Sequence, residues 1–179
     1  MADNLVSRRL IATTFNLFSK LPPALIIASL QVMKFFSHYW QLNDGNVPTA
    51  FDWPGFVEAV NEYQGSVLYP IPLRISKIVL EEANVSNMVN QIVNTFKNEL
   101  NVEASAIDVT ALTANIEASN DKKPVWEGHV LFAFRQPGTD KFFYSMMSTI
   151  QLGRNTNGFS AVIDVMDFLV LKGFKDPTS

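Results

Sequence analysis

The 179-residue chain contains no cysteine. Disulfide staples, thiol nucleophiles and thiolate metal sites are therefore excluded. Charge is also scarce, at 17% of residues, against about 25% in an ordinary globular chain. The net charge is −3 and the basic residues are scattered, which speaks against the basic face that nucleic acid selects. Histidine is limited to His38 and His129, and neither is expected at metal-ligand spacing from a carboxylate or a second histidine. There is no P-loop, no Gly-x-Gly-x-x-Gly and no Gly-x-Ser-x-Gly, so phosphate-cradling loops and a nucleophile elbow are missing. Asp164 and Asp167 come nearest to an acid/base pair, but strand spacing sends them to opposite faces. The expectation is a protein that is not an enzyme, with no cofactor and no metal. Met1 to Arg9 is polar, and no apolar run ends in a small-residue cleavage site before Pro22. That predicts a soluble protein, released or secreted without an evident signal peptide.

Apolar residues make up 47% of the chain, with 14 Phe, 4 Tyr and 3 Trp. A chain of this length fits one domain with a sizeable core, spanning 1–179. Residues 3–64 read as mainly helical. A first helix runs from Asp3 to Leu21 and is broken by Pro22-Pro23. The second, Ala24 to Leu42, carries Lys34 as its only charge and is apolar around most of its circumference. Such a helix is either buried or in lipid, and both readings stay open. Asp44-Gly45 marks a turn, and Pro54 opens a short helix, Gly55 to Tyr63.

Ser66 to Leu80 reads as a strand, with Val67, Tyr69, Ile71, Leu73, Ile75 and Val79 on one apolar face. Pro70 and Pro72 make it an edge strand or a bulged one. Asn84 to Asn101 is an amphipathic helix with the stripe Val85, Met88, Val89, Ile92, Val93, Phe96 and an amide-rich opposite face. Asp108 caps a shorter helix that ends near Ala118.

Residues 124–174 are strand-rich. Val125–Arg135 and Lys141–Leu152 are joined at Pro137-Gly138 as an antiparallel hairpin. Ser160–Phe174 is apolar on both faces, the pattern of a central strand covered on each side, but Asp167 breaks that pattern and leaves a helix open for part of the run. The expected architecture is α/β: one three-layer domain, helix pairs covering a central, mostly antiparallel sheet. Phe142-Phe143-Tyr144 places large rings on both faces of one strand. A covered central strand satisfies that, and so does a strand that changes surroundings on meeting lipid. All three C-terminal runs reach the roughly 9–11 residues that cross a bilayer as strand.

These pieces, over residues 66–174, resemble the Cyt-type cytolysins, the family of bacterial Cyt δ-endotoxins and the mushroom cytolysin volvatoxin. The resemblance rests on order. A Pro-bearing strand precedes an amide-faced helix ending Asn94-Thr95-Phe96. A short helix and the Asn120-Asp121-Lys122-Lys123 loop lead to the Trp126 strand, then Phe142-Phe143-Tyr144 and a long last strand. It implies a pore-forming toxin, haemolytic and cytolytic, whose partners are the lipid bilayer of a target cell and further copies of itself. Membrane insertion would fall to Trp126, Val130, Phe132, Phe134, Phe142, Phe143, Tyr144, Ile150 and Phe168. Lipid headgroups would meet Lys122, Lys123, Lys141, Arg154 and Lys175, which equally suit solvated loops. Oligomerisation would use Val85, Met88, Val89, Ile92, Val93 and Phe96. The alternative reading is a soluble carrier of a hydrophobic ligand.

Overall fold

The computed structural model describes residues 23–45, 47–62, 71–99, 107–135 and 142–171. The expected first helix, the start of the Ser66 strand, the Pro137-Gly138 turn and the last residues after Leu171 lie outside them. In chain order the elements are α1 (Pro23–Ser37), β1 (Trp40–Leu42), β2 (Pro48–Phe51), α2 (Trp53–Glu62) and β3 (Ile71–Glu82). They continue with α3 (Val85–Asn98), α4 (Val109–Ala118), β4 (Val125–Arg135), β5 (Phe142–Asn155) and β6 (Gly158–Leu171).

The main sheet has the order β3-β6-β5-β4, and every pairing in it is antiparallel. Strand β6 is central, as its two-sided apolar pattern requires. Ala161, Ile163 and Val165 enter one core cluster, and Met166 and Phe168 enter another on the opposite face. The first cluster is closed by Met88, Val89, Ile92 and Phe96 of α3 and by Leu112 and Ile116 of α4. The second is closed by Val32, Met33 and Phe36 of α1, by Phe56 and Val60 of α2, and by Trp40 and Phe51 of the β1–β2 hairpin. The three-layer α/β reading is therefore the fold. Both helix layers are held by the same chemistry, since a fully buried Phe or Ile side chain contributes roughly 1.5–3 kcal/mol.

Local signals set the helix ends. The Asn84 side chain accepts from the Asn87 amide at 2.8 Å and starts α3, a cap worth about 1 kcal/mol. Asp108 does the same for α4, accepting from the Ala111 amide at 3.0 Å. Asp52 accepts from the Gly55 amide at 3.1 Å at the start of α2.

Three expectations need correction. The apolar helix does not reach Leu42. It stops at Ser37, and Trp40–Leu42 pairs with Pro48–Phe51 as a hairpin. Its turn is held by Asn43, whose Oδ1 accepts from the Gly45 and Val47 amides, both at 3.0 Å. Second, β5 runs on to Asn155 and β6 starts at Gly158, so the two strands extend beyond the expected Leu152 and Ser160 and the turn between them is tight. Gly158 has φ 146° and packs on the Glu82 carbonyl, where a Cβ would collide; only glycine adopts that backbone cheaply. Third, the apolar face expected on β3 is turned outward. Ile75 and Val79 are 58% and 61% exposed, while Ile78 and Leu80 pack on the α3/α4 cluster. The chain does shift register between Pro72 and Arg74, and β3 is an edge strand, as its prolines require.

Candidate functional site

The long strands β4, β5 and β6 are joined consecutively, and β5 is paired along nearly its full length on both sides. Between the helix layers this meander presents the expected insertion residues to two different cores. Val130 and Phe168 are buried against α1 and α2, and Trp126 is half-buried on the same cluster. Ile150 is buried on the opposite face, under α3 and α4. Phe132, Phe134, Phe142, Phe143 and Tyr144 fall on the backbone of β4 and β5, and their side chains are outside the described residues.

The layer over Val130 is aromatic. Phe36 stacks on Phe51 at 4.6 Å and meets Phe56 edge-on at 5.7 Å. Trp40 meets Trp126 of β4 edge-on at 6.1 Å. Both indole nitrogens are buried without a hydrogen-bond partner. Trp53 of α2 donates from Nε1 to Thr149 Oγ1 of β5 at 2.7 Å, the polar tie between this layer and the sheet.

The opposite layer has its own polar tie. Asn115 of α4 donates to Glu127 Oε1, and Glu127 Oε2 lies 3.1 Å from His129 Nε2. The His129 ring packs on Phe96 of α3 at 5.5 Å. One buried carboxylate thus joins β4 to α4, and the histidine beside it packs on α3. The sequence reading missed it and found no carboxylate at ligand spacing from His129. The i, i+2 spacing of Glu127 and His129 on one strand face was the available signal. Among the described residues no three metal-ligating groups come together. Ser148 faces His129 across the β4–β5 ladder, which sets serine, histidine and carboxylate in a row. Its hydroxyl makes no hydrogen bond, and the three residues are 0%, 4% and 9% exposed. The row is a buried polar seam.

Glu127→Ala removes the acceptor for both Asn115 and His129. A buried polar group left unsatisfied costs roughly 1–3 kcal/mol. Chemical denaturation is expected to show a loss of that size, with a smaller loss for Glu127→Gln.

Lys122, Lys123 and Arg154 lie at the same end of the sheet. The lysines immediately precede β4, and Val125 pairs with Leu152, two residues before Arg154. Both lysines are exposed, and their backbone amides bond Asn120 Oδ1 at 2.9 and 2.7 Å. Arg154 lies 4.6 Å over the Phe159 ring and donates to the Glu117 carbonyl at 3.3 Å. Lys141 and Lys175 are outside the described residues. The helix stripe expected to self-associate faces inward. Met88, Val89, Ile92 and Phe96 are buried, and Val85 and Val93 pack against the same cluster. That surface is free only when α3 leaves the sheet.

No family model and no curated protein matches this chain.

Proposed function

We propose that this protein is a membrane-active pore former that binds lipid directly, oligomerises and makes the target membrane leak. One observation carries the reading. β4, β5 and β6 have 11, 14 and 14 residues, at or beyond the ~9–11 that cross hydrocarbon. They are sequential antiparallel neighbours with apolar side chains on both faces, each face closed by a separate helix layer. No described helix is long and apolar enough to cross a membrane.

The mechanism follows from what hydrocarbon requires. An open sheet edge does not survive there, so inserted meanders from several copies must close into a barrel or ring. One or both helix layers move off the sheet first. The cations Lys122, Lys123 and Arg154, at one end of the strands, meet anionic headgroups. Release of α3 exposes Met88, Val89, Ile92 and Phe96 for contact between copies. The chemistry needs no bond breaking and no cofactor.

Dye release from protein-free liposomes tests this. Rapid release at micromolar protein is expected, and the size cut-off of the released dyes separates a pore from detergent-like action. Silence across neutral, anionic and sterol-containing vesicles overturns the proposal. Lipid bound without leakage would point to a carrier.

A further inference from the structure

We propose that β3 is a dimerisation edge, at which a second copy of this chain adds its own β3 antiparallel and joins two four-stranded sheets into one. The inference concerns the folded protein in water and is independent of the membrane reading.

β3 is 12 residues long and, among the described residues, pairs with β6 alone. Half of its backbone N–H and C=O groups therefore face outward, and such an edge templates another strand unless it is guarded. Proline, a bulge and charged side chains are the usual guards; here the proline and the bulge sit at the start, at Pro72 and between Pro72 and Arg74, and the charges are Lys77, Glu81 and Glu82. From Ile75 to Glu82 the strand is regular. On its outward-turned face it alternates Ile75, Lys77, Val79 and Glu81. The two apolar members are 58% and 61% exposed. The other edge of the sheet is not comparable, because the β1–β2 hairpin lies against β4 through Trp40 and Trp126.

Charge then selects the occupant and the register. An antiparallel pair centred on Val79 sets Val79 against Val79 of the second copy. The same register sets Lys77 against Glu81 of the second copy, and the twofold axis repeats that pair. Opposite charges directly across strands stabilise, and like charges there destabilise. Centring the pair on Lys77 would instead face two lysines. The sequence is thus self-complementary in one register, as a twofold interface requires. Lys77 also faces Asp164 across β6, so in the dimer it lies between two carboxylates.

The chain has no cysteine, which makes the test clean. Val79→Cys is expected to form a disulfide dimer of twice 20.0 kDa under mild oxidation. Ile75→Cys is expected to stay monomeric on the same gel, because in this register the two copies of position 75 lie about 27 Å apart at 3.4 Å per residue. In sedimentation equilibrium, Glu81→Lys is expected to weaken the dimer at least about tenfold, and the gap to the parent is expected to narrow at ~1 M salt, where charges are screened beyond about 3 Å. A parent that stays monomeric throughout, cross-linking at position 75 as readily as at 79, or a dimer indifferent to Glu81→Lys would each overturn the proposal.

Discussion

Tying α4 to β4 is expected to stop leakage. Asn115→Cys with Glu127→Cys, joined by a short bis-methanethiosulfonate linker, replaces the hydrogen bond between those side chains with a covalent bridge. Cysteine is otherwise absent, so the bridge is unique. If the helix layer must leave before β4 enters lipid, the bridged protein still binds vesicles. Its dye release falls at least about tenfold, a barrier rise of roughly 1.4 kcal/mol or more. Reduction cleaves the linker and is expected to restore release. The unbridged double variant is the control, because it lacks the Asn115–Glu127 bond. Release that is unchanged in the bridged protein would rule out departure of the α3/α4 layer, leaving the α1/α2 layer as the one that moves.

The largest stability effect is expected at Phe36. Its side chain is 0% exposed and lies between Phe51, Phe56 and Trp40. Truncating such a ring removes transfer energy and leaves a cavity, and Phe→Ala in a core costs about 3–5 kcal/mol. A whole domain has only about 5–15 kcal/mol to lose. Phe36→Ala is therefore expected to lower Tm by on the order of 10 °C, at 2–4 °C per kcal/mol for a chain of this length. Leu30→Ala, on the same helix but 48% exposed, is expected to cost much less. Thermal unfolding followed by circular dichroism compares them. A similar fall for both variants would mean that α1 is held by more than its inward face.

The three-layer plan was legible because β6 and α3 carry strong patterns, with Asp167 the one break in β6. Alternate residues of β6 are apolar on both sides, and α3 repeats at helical spacing beneath an asparagine cap. β1 and β2 were not legible, since 3 and 4 residues are too few to show alternation. Trp40 also continues the apolar run of the helix before it. The outward turn of Ile75 and Val79 was hidden for another reason. Which face of an edge strand is covered depends on where the helices end, and α3 sits over Ile78 and Leu80. The polar seam of Asn115, Glu127 and His129 joins residues from two elements. Only Glu127 and His129 share a strand, so the sequence offered half of it.

The connectivity of the sheet also sets an order of assembly. β4, β5 and β6 follow one another in sequence, and the Asn155–Gly158 turn brings β5 and β6 together over a few residues. Such local contacts form early, since little chain entropy is lost in closing them. β3 meets β6 across a much longer stretch, with Ile75 opposite Met166 and Val79 opposite Val162. Loop closure therefore makes β3 the last strand to dock during folding. In native-state hydrogen exchange of the monomer its amides would be the first of the sheet to open, while the three-strand ribbon beside it stays protected.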